Sequence, residues 1–275
     1  MALPAYATPL ERKWHVAFRV LCVLVFIFLV IPVLIVIPLS FNSEAFFTFP
    51  MPGVSLRWYD EFFGSERWMD AIKNSATIAI SVTFLATSLG TLAALGLSRA
   101  GFPGRAAVMS ILIAPIIVPV VISALGMYFF YNTLGLISTV PGIILAHTAL
   151  ATPFVVITVT ATLTGFDHSL TRAASGLGAR PLTVFFRVIL PLILPGVISG
   201  ALFAFITSWD ELIVVLFIAS PETRTLPRQM FSGIRDQISP TITAAATILI
   251  LLSIMLLTTV ELLRRRSEKL RGIRP

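Results

Sequence analysis

Charge is scarce in this chain. Asp, Glu, Lys and Arg make up 12% of its 275 residues, while 57% are hydrophobic; a soluble domain carries about 25% charged residues. The mean hydropathy of +0.95 excludes a single water-soluble core of this length and puts most of the chain in lipid. Cysteine is nearly absent: Cys22 stands alone, so no intrachain disulfide forms. Only three lysines occur, Lys13, Lys73 and Lys269. None stands in a G-x-x-x-x-G-K-[ST] context, which excludes a nucleotide-binding P-loop. The three histidines, His15, His147 and His168, are widely separated, so no metal-ligand cluster is expected. Ser and Thr are plentiful but show no triad arrangement; in a membrane helix they serve interhelical hydrogen bonds. No catalytic function is expected, and no nucleic-acid motif accompanies the net charge of +7.

What remains is apolar runs. A span needs about 20 uncharged residues, and runs of that kind lie near 16–39, 75–97, 106–131, 141–163, 195–218 and 242–263. The third and fourth come from one uncharged stretch, Ala106 to Phe166, divided where Asn132, Gly135, Pro141 and Gly142 supply turn chemistry. Continuous rather than alternating apolarity favours helices over a barrel. The reading is an all-α membrane protein of six spans forming one domain, 1–275. The first run is too long for the core of a cleaved leader and lacks a small-residue cleavage site, so it reads as a retained anchor.

Basic residues set the orientation. The N-terminus, the 98–105 and 164–194 loops and the C-terminus share one side and carry fourteen of the twenty Lys and Arg; the 40–74 and 219–241 loops carry six. The richer side is expected in the cytoplasm, with both termini there. Within the external 40–74 loop, "SLRWYDEFF" reads as a short interfacial helix that turns Trp58, Tyr59, Phe62 and Phe63 towards lipid.

One loop breaks the apolar pattern. In "TRAASGLGARPLTVFFRVILPLILPG", residues 171–196, Leu170, Ala173, Ala174 and Leu177 fall at helical spacing. Gly178 stands where a helix would stop, and Pro181 prevents its continuation. From spacing alone, such a face either docks a partner, or rests on headgroups or packs on its own bundle. The segment resembles the signature loop of the permease subunits of binding-protein-dependent ABC importers. Ala173, Ala174, Leu177, Gly178, Ala179, Phe186, Val188, Leu190, Pro191, Pro195 and Gly196 carry the match. "SWDELIVVLF" and "RTLPRQMFSGIRDQISPTITAAATILI" further resemble the second permease of spermidine/putrescine-type importers.

The resemblance implies the type I importer permease fold, with 164–194 as the coupling loop. Arg172, Ala173, Ala174, Leu177, Gly178 and Ala179 would seat it in a separate ATPase subunit, and Pro191 and Pro195 would stiffen the re-entry into the fifth span. Arg172 replaces the signature's acid, so the carboxylate contact with the ATPase is absent or reversed in sign. The implied partners are the ATP-binding cassette ATPase, a second homologous permease, an extracytoplasmic solute-binding protein and membrane lipid. ATP and Mg²⁺ would belong to the ATPase, with no cofactor in this chain. The implied cargo is a polyamine; another small solute (an amino-acid derivative, an opine or a phosphonate) and a stand-alone secondary transporter are the alternatives.

Acids in a span are costly and face a cavity or a partner. Asp210 and Glu211, in the fifth run, read either as lining a path for a cation or as pairing with an arginine or backbone donor. Trp209 and Tyr128 read either as stacking on a ligand or as interfacial anchors. His147 reads as a hydrogen-bonded structural histidine.

Overall fold

The computed structural model describes residues 8–46, 50–98, 102–236 and 239–270. Among these, regular structure is helical apart from one antiparallel bridge between Asn42 and Val54. Backbone contacts group the chain into two compact units, one of Met1–Gly64 with Gly233–Leu257 and one of Ser65–Ser232 with Thr258–Pro275.

The first unit holds α1 (Pro9–Leu39), α2 (Arg57–Gly64) and the first part of α12 (Pro240–Leu270). α1 begins seven residues ahead of the expected span because Thr8 and Glu11 form a capping box that satisfies the first backbone donors. None of its residues is buried. In α2 the expectation for the aromatic residues is corrected. Trp58 and Phe62 are buried, while Phe63 remains exposed. The Trp58 Nε1–H donates to the Asn42 carbonyl at 2.6 Å, and Tyr59 Oη shares a 2.7 Å hydrogen bond with Ser40 Oγ. A buried indole N–H needs such an acceptor, and this one draws the ring away from lipid.

The second unit is built on three long helices that pack on one another: α3 (Glu66–Leu97), α6 (Val140–Thr164) and α9 (Leu190–Trp209). Small residues permit close approach. A Cβ added at Gly196 would lie 2.1 Å from Thr162 Oγ1 and 3.0 Å from the Thr158 carbonyl, and one at Gly200 would lie 2.7 Å from Thr158 Oγ1. Gly90 meets Val155 in the same way, at 2.6 Å. Without a hydrophobic drive between helices in lipid, such close backbone packing supplies much of the association. Gly196→Ala is therefore expected to destabilise the chain by about 1–3 kcal/mol through overpacking. Gly126→Ala, where a Cβ meets nothing within 4 Å, serves as the neutral control. Thermal unfolding midpoints in detergent check the contrast.

Two of the expected spans are not single rods. The third, 106–131, consists of α4 (Arg105–Ile117) and α5 (Val120–Thr133), bent by 104° at Val118–Pro119. Pro119 has no N–H to donate, and the residue before a proline is pushed out of the helical region. Val118 accordingly sits at φ −71°, ψ 132°.

The fifth, 195–218, starts earlier and stops earlier than expected. Helix runs from Pro181 to Trp209 through α8 (Pro181–Val184) and a π-helical turn, Phe185–Ile189. Pro191 and Pro195 therefore lie within helix rather than at a loop joint. Pro191 has no N–H for the Arg187 carbonyl, and a wider turn just ahead of it relieves the clash of ring and carbonyl; the Leu190 N–H reaches back to Phe185. After Trp209 the helix breaks, and the short α10 (Ile213–Ile218) follows. α10 packs mainly on α5, so the second pieces of the two interrupted spans lie against each other. α7 (His168–Gly176) and α11 (Leu226–Asp236) complete the elements. Among the described residues, four helices are long and apolar enough to cross a membrane; the bent α4–α5 pair and the apolar part of α12, Pro240–Met255, bring the apolar segments to six.

Candidate functional site

The signature loop folds as a short helix with both ends closed. Asp167 is the N-cap of α7, and its carboxylate accepts from Ser169 N at 2.8 Å and Ser169 Oγ at 2.7 Å. These hydrogen bonds hold its carboxyl below the usual carboxylate range, so it stays ionised where a helix N-terminus favours negative charge. At the other end Leu177 is the C-cap and Gly178 takes φ +81°. Gly178 N donates to Ser175 O at 3.0 Å and Ala179 N to Ala174 O at 3.1 Å. This pair of bonds is a Schellman motif, and its left-handed residue is the one position that calls for glycine. A Cβ there would meet nothing within 4 Å, so backbone conformation, not crowding, selects the residue.

The expected docking residues come together on this element. α7 packs on α8 and the π turn. Arg172 and Ala173 are exposed, Ala174 and Ala179 are half-buried, and Leu177 is 89% exposed. Leu182 and Phe186 add apolar surface just beyond. Leu177, Leu182 and Phe186 thus form an exposed apolar surface around a capped helix end.

The second cluster lies at the break between α9 and α10. Asp210 is the C-cap of α9, its N–H donating to the Ile206 carbonyl at 3.1 Å. The residue is exposed and stands at a helix C-terminus, where cations are favoured. Glu211 is half-buried and accepts from Val214 N at 2.9 Å, closing one of the orphan donors at the start of α10. The two acids thus have different surroundings because the helix stops between them, not because they face apart on one helix. Trp209 stacks on Phe205, with ring centroids 5.5 Å apart and planes inclined by 16°. One residue before Trp209, Ser208 shares a 3.0 Å hydrogen bond with His147 Nδ1 from α6, which ties the last turn of α9 to the bundle. Tyr128, half-buried on α5, meets Phe129 edge to face and packs against the hydrophobic core.

The sequence contained one signal for the break that spacing arguments passed over. Two adjacent acids are costly inside a lipid-embedded helix, and a carboxylate can close the free donors at a helix start, so "WDEL" reads as a terminus followed by a start.

Long apolar helices, two of the expected spans interrupted, and a short exposed helix closed at both ends describe a chain built to lie in a membrane. The chain belongs to the family of binding-protein-dependent transport system inner membrane components, whose model matches residues 86–270. It is 36% identical over 255 residues to a putrescine transport system permease protein of Escherichia coli, covering 90% of this chain and 88% of that one. It is 33% identical over 244 residues to a spermidine/putrescine transport system permease protein of Haemophilus influenzae, covering 89% and 95%. Among solved structures it resembles a chain of a bacterial alginate ABC transporter in complex with a periplasmic protein, with a TM-score of 0.74, 18% identity and coverage of 93% and 96%. That likeness establishes the ABC importer permease fold expected from the signature loop.

Proposed function

We propose that this chain is one half of the translocation path of an ATP-driven importer of polyamines. The observation that carries the proposal is α7: a short helix, Gly-stopped and Asp-capped, that holds Leu177 out in the open. Such an element seats in a groove of another subunit, and the family signature points to an ATPase. ATP and Mg²⁺ then bind there, and this chain catalyses nothing itself. A homologous second permease completes the path, and a solute-binding protein delivers cargo to the outer mouth. The polyamine assignment is supported by the two relatives that run nearly the full length of the chain. It also agrees with an exposed carboxylate at the broken span and no Lys or Arg between Arg187 and Arg224. The fourteen-to-six distribution of basic residues supports cytoplasmic termini and a cytoplasmic α7 in the bacterial inner membrane.

Reconstitution of the chain with its ATPase, second permease and binding protein in liposomes tests this. Uptake of labelled putrescine is expected to require ATP and the binding protein together. In the same vesicles, in a Cys22→Ser background, an impermeant maleimide is expected to modify Ser65→Cys and Ser175→Cys from opposite sides. Uptake without ATP would return the chain to the class of stand-alone transporters.

A further inference from the structure

The threonines of α6 mostly spend their hydroxyls on their own helix. Thr148, Thr152, Thr158, Thr162 and Thr164 each donate to a carbonyl three or four residues earlier, the usual end for a helical hydroxyl. Ser208 on α9 does otherwise. Its Oγ lies 3.0 Å from His147 Nδ1, across the seam between α6 and α9. Both side chains are inside the bundle, His147 at 0% exposure and Ser208 at 4%. His147 Nε2 is buried without a hydrogen-bond partner among the described residues, so the ring is anchored at its Nδ1 edge.

The place of this bond is informative. Earlier along α9 the same seam is held by packing: Gly196 and Gly200 close on Thr162, Thr158 and Val155, and Phe203 stacks on Phe154 with ring centroids 6.2 Å apart. Polar groups buried in a lipid-embedded bundle are costly, and apolar residues of the same shape would join two helices at least as well. What a hydrogen bond adds is a fixed distance and direction. Here that constraint falls on the last turn of α9, where helix ends otherwise fray. Trp209 follows Ser208 and stacks on Phe205. Asp210 comes next as the C-cap, its N–H donating to the Ile206 carbonyl of the same turn.

Resting on the polyamine reading above, we infer that His147 is a positioning residue for transport: through Ser208 it fixes the last turn of α9, and with it the place from which Asp210 meets the cation. His147 itself touches no cargo, because its ring is fully buried. The attraction between two charges falls with their separation, so a carboxylate on a turn free to rotate compensates an ammonium less well than one held in place. A bond that served stability alone would, when removed, lower the amount of assembled transporter and leave the uptake of each assembled complex unchanged.

The test uses the complete transporter in liposomes, with uptake of labelled putrescine expressed per assembled complex. His147→Leu and Ser208→Ala are each expected to lower that uptake at least fivefold; Ser208→Ala removes a single oxygen and carries the test should the leucine variant fail to assemble. His147→Asn places an amide where Nδ1 stands, able to donate or accept, and is expected to keep at least half of wild-type uptake. In an Asp210→Asn background Ser208→Ala is expected to cost less than a further twofold, because no charge is left to position; contacting residues that act as a unit are non-additive in this way. Wild-type uptake per complex by Ser208→Ala overturns the proposal. So does an asparagine variant no better than leucine, a fivefold penalty that persists in the Asp210→Asn background, or wild-type uptake by Asp210→Asn itself. If the wild-type transporter takes up no putrescine at all, the functional reading and the role of His147 both fall; normal wild-type uptake with any of the overturning results removes the role of His147 alone.

Discussion

Replacing Gly178 by valine is expected to lower putrescine uptake by the reconstituted transporter at least tenfold, with the chain still inserted in the membrane. The glycine holds φ +81°, a region that costs an ordinary residue about 1–2 kcal/mol and a β-branched one more. The Schellman bonds from Gly178 N and Ala179 N depend on that conformation. Once they are lost, the last turn of α7 frays and Leu177 leaves its fixed place. No wall of this chain touches a Cβ at 178, so the damage is confined to the helix end and does not propagate into the bundle. A graded series follows. Asparagine, which tolerates the left-handed region, is expected to retain most uptake, alanine an intermediate level and valine the least. ATPase co-purification should decline in the same order. A valine variant that couples and transports like wild type would refute the assignment of α7 as the docking element.

How much of this was legible beforehand depends on where the information lies in the chain. The α7 helix and its stop were readable because a glycine, a proline and small apolar spacing all act within one turn. The apolar runs marked the long helices but not all of their ends: α1 starts at Pro9 and α3 at Glu66, because a helix continues through charged residues that an apolar count excludes. The interruptions were not readable. Proline in an apolar run does not discriminate: Pro32, Pro38, Pro115, Pro153 and Pro195 all sit inside helices, whereas Pro119 stands at a 104° bend. Neighbouring helices in lipid can accommodate the freed backbone groups or not, and that choice is tertiary. The burial of Trp58 and Phe62 was missed for a related reason. The aromatic stripe of α2 was visible, but its acceptor, the Asn42 carbonyl, lies in a preceding loop with no pattern of its own.

The acid pair separates a residue on the path from a residue that holds the path open. Asp210→Asn is expected to lower putrescine uptake at least tenfold while leaving assembly unchanged. The amide preserves the side-chain shape and the backbone cap to the Ile206 carbonyl, and removes only the charge that compensates an ammonium as it sheds water. Glu211 is expected to behave in the opposite way. Its carboxylate accepts from Val214 N, and a glutamine still offers an oxygen to that donor. Glu211→Gln should therefore lose little, apart from the attraction of a negative charge for the start of α10. Glu211→Leu strands the Val214 N–H in a half-buried break, at a cost of about 1–2 kcal/mol. Because α10 packs on α5, that loss loosens both interrupted spans, and it should appear as a lower unfolding midpoint and reduced yield of the assembled transporter. The two residues are thus told apart by which measurement moves: uptake at full assembly for Asp210, stability and assembly for Glu211. Wild-type uptake by Asp210→Asn would remove the carboxylate from the path and, with it, the physical support inside this chain for a cationic cargo.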